Sequence, residues 1–121
     1  MTLHLVTGAT GHIGNVLVRQ LLEHGQRPWV LVRPGKIPVA LEGLDVEIVP
    51  GDILDANSLV RALDGVDLVY HLAAKISLAS VPDPETEHVN LEGTRNVLAA
   101  VRASRCAASR IRRALVAGAV G

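Results

Sequence analysis

The chain has 121 residues, no net charge at neutral pH, 49% hydrophobic residues and 20% charged ones. Its length suits one domain and is too short for two, and its apolar content excludes wholesale disorder. One cysteine, Cys106, excludes an internal disulfide framework and any multi-cysteine zinc site.

With no Phe, one Trp and one Tyr, the core has to be built from Val, Leu, Ile and Ala. Met1-Thr2-Leu3-His4-Leu5-Val6 has no basic region ahead of its apolar run, so a signal peptide is not expected. No apolar run approaches the roughly 18 residues of a membrane span, so the expectation is a cytoplasmic chain with no membrane partner. The zero net charge conceals a split. Residues 1–92 hold 6 Lys and Arg against 12 Asp and Glu, whereas residues 93–121 hold six Arg and no acid. The two ends are expected to neutralise each other in the fold. No nucleic-acid partner is expected, because no aromatic or glycine-rich RNA-binding pattern accompanies the arginines.

In chain order, Leu3–Val6 reads as a strand buried on both faces, as in a parallel sheet. The turn Gly8-Ala9-Thr10-Gly11-His12-Ile13-Gly14 follows, then a helix carrying Ile13, Val16, Leu17, Leu21 and Leu22 and closed by Gly25. Trp29–Val32 is a second strand, broken by Arg33-Pro34-Gly35, and residues 36–44 form a loop. The alternation in Asp45–Val49 predicts a third strand near a sheet edge. Asp55 is placed to cap a short helix through Leu59, Val60 and Leu63, stopped by Gly65. Leu68–Leu72 is a fourth strand. Pro82 and Pro84 lie in a loop, Pro84 at the start of a helix running from about Glu85 to Cys106. Ala114–Ala117 fits a fifth strand. Strands alternating with helices at this spacing imply right-handed crossovers and an α/β fold: a doubly wound parallel sheet of order near 3-2-1-4, with helices on both faces.

Gly8, Gly11 and Gly14 recur every third residue between the first strand and the first helix. Such a turn suits a dinucleotide. Glycine tolerates the tight bend, its bare backbone lets a pyrophosphate approach, and the helix start offers N–H groups and a positive dipole end. A purely structural turn is the alternative. A P-loop is excluded because no Gly-Lys-Ser/Thr follows.

Four segments, in matching order and spacing, resemble the extended short-chain dehydrogenases/reductases, the NAD-dependent epimerase/dehydratase family. Thr7-Gly8-Ala9-Thr10-Gly11-His12-Ile13-Gly14 resembles its cofactor fingerprint, and Gly51-Asp52-Ile53 its adenine-contacting Asp. Tyr70-His71-Leu72-Ala73-Ala74 resembles its fourth-strand motif. Val89-Asn90-Leu91-Glu92-Gly93-Thr94-Arg95-Asn96-Val97 resembles the helix that follows. The resemblance covers residues 1–101, closest to the nucleotide-sugar epimerase/dehydratase and dihydroflavonol-reductase-like branch. It implies a Rossmann-like cofactor domain and a candidate binding set of Gly8, Thr10, Gly11, His12, Ile13, Gly14, Arg33, Asp52, Ile53, Leu72, Ala73, Ala74 and Asn90.

Each of these has two readings. Asp52 accepts from the adenine amino group, with Ile53 flanking the ring, or caps a turn. Arg33 follows Gly14 by 19 residues, where an acid would select NAD; an Arg suits the 2′-phosphate of NADP or is merely solvated, and the nearest downstream acid is Glu42. His12 sits near a phosphate or only fills the loop. Ala73 and Ala74 let the nicotinamide ribose pack close, which ordinary close packing also explains. Lys75 reaches a cofactor hydroxyl or is solvated. Asn90 lies beside the cofactor or orders the strand ends. His4, His24, His71 and His88 form no metal pattern and read as surface or core residues, and Cys106 as an inert thiol.

The resemblance also implies a catalytic Tyr with a Lys four residues later. The only Tyr is Tyr70, followed at that spacing by Ala74, so no catalytic residue is assigned. The Arg/Ala-rich tail 102–121 departs from the family pattern. A truncated or frame-shifted cofactor domain is one expectation, and drifted sequence with a real fifth strand the other. The functional expectation is the NAD(P)-binding portion of an epimerase, dehydratase or reductase, inactive alone, its small-molecule substrate met only in an intact homologue. The alternative is a non-catalytic NAD(P) sensor of the same fold. Self-association through an open sheet edge is a further expectation.

Overall fold

The computed structural model describes residues 3–35, 37–73, 84–106 and 113–116. The elements in chain order are β1 (His4–Thr7), α1 (His12–Glu23), β2 (Trp29–Val32), a 3-10 turn (Val39–Leu41), β3 (Glu47–Pro50), α2 (Ala56–Ala62), β4 (Leu68–His71), α3 (Pro84–Cys106) and β5 (Arg113–Val116). Among the described residues the strands form one parallel sheet of order β3-β2-β1-β4-β5. The expected 3-2-1-4 arrangement is present, and the fifth strand adds beside β4.

Alternation along β1 divides the core. Leu5 faces a cluster with Val69 of β4, Leu59 and Ala62 of α2, and Val97, Ala100 and Val101 of α3. Val6 faces the opposite cluster, with Val30 of β2 and Val18 and Leu21 of α1. Both faces of the sheet are therefore covered by helices, as two-sided burial of parallel strands requires. The core is aliphatic, as the composition dictates.

Two strands sit one or two residues later than their sequence patterns suggest. Leu3 donates its amide to the Asp67 carboxylate at 3.0 Å, and β1 begins one residue on. Arg27 pairs with the carboxylates of Asp45 and Glu47, each at 3.0 Å, which leaves Asp45 ahead of the sheet, and the ladder starts where Glu47 N–H meets the Pro28 carbonyl. β3 then runs to Pro50, which is tolerated because β3 is an edge strand and needs no second ladder. The expected loop 36–44 contains the 3-10 turn. Asp55 caps α2 as its position predicts, its carboxylate accepting from the amides of Asn57 and Ser58 at 3.2 and 3.3 Å.

Candidate functional site

Parallel strands end on one edge. The register pairs Thr7 with His71 and Val32 with Pro50, so the residues that follow, Gly8, Arg33, Gly51-Asp52 and Leu72-Ala73, gather along that edge. The chain order reverses between β1 and β4, where β1 turns out toward β2 and β4 toward β5. Ligands of open α/β sheets bind beyond the carboxyl ends of the strands at such a point.

The three glycines are required for different reasons. Gly8 has φ +77°, and a Cβ there would lie 2.5 Å from Ala73 N and from the Leu72 carbonyl carbon. The bend needs glycine twice over: for its backbone conformation and for its approach to the end of β4. A Cβ on Gly14 would overlap the Gly8 carbonyl oxygen, so α1 can leave the strand only with no side chain at that place. Gly11 differs. Its φ is −78° and the one neighbour a Cβ would meet is Gly8 O at 3.4 Å. The fold itself does not demand a glycine there.

Gly11 is the N-cap of α1 and brings no side chain to cap it. The first bond back into the turn is Asn15 N–H to Gly11 O at 2.9 Å, and no acid lies in the first helical turn. Thr10, Gly11, His12 and Ile13 are exposed, Ile13 at 64% despite its apolar side chain. Uncapped amides, a dipole end and an open, uncharged surface make a donor set that fits a diphosphate.

Asp52 is half-buried just past β3. Its Oδ1 accepts from Leu54 N–H at 2.9 Å, so it does cap a turn. Ser58 Oγ fastens the same turn, accepting from Asp52 N–H at 3.0 Å and lying 2.8 Å from the Asp55 carbonyl. Ile53 is half-buried, and a Cβ on Gly93 of α3 would come within 2.5 Å of its Cδ1. Arg33 is exposed directly after β2. Leu72 and Ala73 are half-buried beneath Gly8, and Asn90 is half-buried in α3. Ala74, Lys75 and Pro82 lie outside the described residues. The structure thus brings the glycine turn and Leu72-Ala73 together and sets Asp52-Ile53 against α3.

Several contacts were not foreseen from the sequence. Asn96 Nδ2 donates to the Ile53 carbonyl at 2.9 Å, fixing the segment after β3 against α3. Asn15 Nδ2 donates to the Ala40 carbonyl at 2.9 Å, tying α1 to the loop beyond Arg33. His71 is a core histidine, 2% exposed. Its Nδ1 lies 2.7 Å from Thr7 Oγ1 and its Nε2 3.2 Å from Thr94 Oγ1. Burial holds its pKa below the ordinary 6.5. The one available signal was polar residues, Thr7 and His71, ending otherwise apolar strands. Among the described residues no group of His, Cys, Asp and Glu is placed to hold a metal, and no helix is long and apolar enough to cross a membrane.

A doubly wound sheet with a bare glycine turn at its switch point defines a dinucleotide-binding class of protein. The profile of the NAD dependent epimerase/dehydratase family matches residues 4–120, and the chain belongs to that family. It is 43% identical over 98 residues to sterol demethylase protein B of Methylococcus capsulatus, covering 81% of this chain and 30% of that protein. It is 37% identical over 99 residues to ceramide reductase of Caulobacter vibrioides, covering 82% and 31%. A solved short-chain dehydrogenase/reductase superfamily protein from Agrobacterium tumefaciens with bound NAD superimposes with a TM-score of 0.71 at 32% identity, over 94% of this chain and 31% of that one. The chain therefore spans about a third of the length of these relatives.

Proposed function

We propose that these residues form the dinucleotide-holding part of an NAD(P)-dependent epimerase, dehydratase or reductase. Its substrate would be a sugar nucleotide or another hydroxyl- or carbonyl-bearing molecule. The observation that carries the reading is Gly11, exposed and free of any steric need for glycine, in front of uncapped helix amides. A diphosphate lying over it explains both features together.

In this reading Gly8, Thr10, Gly11, His12, Ile13 and Gly14 surround the diphosphate. Asp52 presents its second carboxylate oxygen to the adenine amino group while its first keeps the turn, and Ile53 flanks the ring. Leu72 and Ala73 form the floor under the nicotinamide ribose, with Asn90 beside it. Arg33, where NAD-selective sites carry an acid, favours NADP by pairing with a 2′-phosphate. A bound nicotinamide supplies hydride exchange; the residues here bind and orient it. No catalytic residue is assigned. Tyr70, the only tyrosine, sits in β4 with its ring edge-on to His4 at 5.7 Å.

A second reading is a non-catalytic NAD(P) sensor of the same fold. It would combine ordinary cofactor affinity with a protein partner. Calorimetric titration with NADPH and NADH tests the main proposal. The expected result is binding of both, NADPH more tightly; heat-silent titrations with both, confirmed by equilibrium dialysis, would overturn it.

A further inference from the structure

Thr7 Oγ1 accepts from two amides, Leu72 N–H and Ala73 N–H, each at 3.1 Å. A hydroxyl oxygen has two lone pairs, so both are taken. Its own proton must then go to His71 Nδ1, 2.7 Å away, which must be unprotonated. The remaining ring proton is on Nε2 and donates to Thr94 Oγ1 at 3.2 Å. One tautomer satisfies all four bonds. It joins the ends of β1 and β4 to α3 beside Gly8, where a Cβ would lie 2.5 Å from Ala73 N.

We propose that His71 is a positioning residue. As the neutral Nε2–H tautomer it fastens Leu72-Ala73 under the glycine turn through the Thr7 hydroxyl, and taking up a proton unfastens them and weakens dinucleotide binding. The inference rests on the dinucleotide reading above. A proton on Nδ1 would face an oxygen with no lone pair left. Leu72 N–H has a second acceptor in the Thr7 carbonyl at 3.2 Å; Ala73 N–H has no other among the described residues and is the bond released.

Burial lowers the pKa of His71, and among the described residues no neighbouring charge contributes. His4 on β1 and Arg113 on β5 both pair with Leu68, at the far end of β4 from His71. On α3, Glu85, Glu87, His88, Arg95 and Arg102 are exposed and Glu92 is paired with Arg95, while Asp55 and Arg61 of α2 are exposed. His12, in the glycine turn, is the other histidine beside the proposed diphosphate position and is exposed.

Two measurements on the wild-type chain and His71→Gln test this. Glutamine presents an acceptor to Thr7 that does not titrate. Nitrogen-15 spectra of the imidazoles are expected to show His71 as the Nε2–H tautomer, with the Ala73 amide proton shifting as His71 titrates. Affinity for oxidised NAD is expected to fall on going from about pH 7.5 to about pH 5. The fall should be about fivefold greater in wild type than in His71→Gln, the effect of one lost hydrogen bond. Because His12 is common to both, the difference isolates His71. An Nδ1–H tautomer, or equal pH dependence in the two proteins, would overturn the proposal. If His71→Gln does not fold, the wild-type tautomer and amide spectra decide. If NAD binds at no pH, the dinucleotide reading fails, while those spectra still accept or reject the fastening itself.

Discussion

His71 Nδ1 lies 2.7 Å from the Thr7 hydroxyl across 64 residues of chain, and this bond closes the sheet at its switch point. It works only with a neutral ring, which gives the fold a pH dependence. Burial pushes His71 below its ordinary 6.5. It does the same to His4, where Asp67 partly opposes the effect. In acid the unfolded chain therefore binds more protons than the folded one. Stability is complete above the unfolded value and declines as pH falls through 6.5 toward the lower folded values. Urea unfolding across this range should show a midpoint that drops with acid, and less steeply in His71→Gln. Equal slopes would contradict it.

The glycines separate fold from ligand. Gly11→Ala has a negative φ and ordinary contacts, so stability should hold or rise by about 0.4–1 kcal/mol through the unfolded chain. Dinucleotide affinity should fall at least about tenfold, a loss worth about 1.4 kcal/mol. Gly8→Ala should lose about 1–3 kcal/mol from its left-handed backbone alone, and more from the collision with Ala73. Thermal melts and calorimetry on both variants distinguish the cases; unchanged affinity in Gly11→Ala would remove the main support for the nucleotide site.

Arg33 is exposed and, among the described residues, has no acidic partner. Arg33→Ala should weaken NADP binding about tenfold while leaving NAD nearly unaffected, and the NADP preference proposed for the wild type should shrink in salt, since exposed charge pairs are screened. Competitive titrations at low and high ionic strength measure both. A wild-type preference for NAD would reverse the assignment.

Asn96 and Asp55 provide a matched pair. Asn96→Ala leaves the Ile53 carbonyl without its donor, costing about 1 kcal/mol, and should also loosen the segment proposed to hold the adenine and reduce affinity. Asp55→Ala removes the cap of α2 and should cost about 0.5–2 kcal/mol with affinity unchanged. Chemical denaturation and titration of each variant give the two readouts.

Local chemistry was legible in the sequence. The glycine spacing marked the turn, Asp55 marked its helix, and apolar runs broken by Gly and Pro marked strands whose spacing implied the parallel order. What escaped was pairing between distant segments. Nothing in a single chain indicates that Thr7 meets His71 and Thr94, or that Asn96 holds Ile53, because those contacts exist only once the sheet and α3 have assembled. The displaced starts of β1 and β3 have the same origin. Asp67 takes the Leu3 amide from 64 residues away, and Arg27 takes Asp45 from 18. The reading of Asp52 as a turn cap was present in the sequence as an alternative, and its bond to Leu54 bears that part out.

β1 leaves the ribosome before both of its neighbours, β2 and β4, and the second of these ends at His71. Until synthesis has passed that point the glycine bend has an opening on one side, and Val6 and Leu5 lack half of their strand partners. Translation itself thus delays completion of this edge, and any nascent chain stopped before residue 68 would carry the glycine turn without the surface against which it rests.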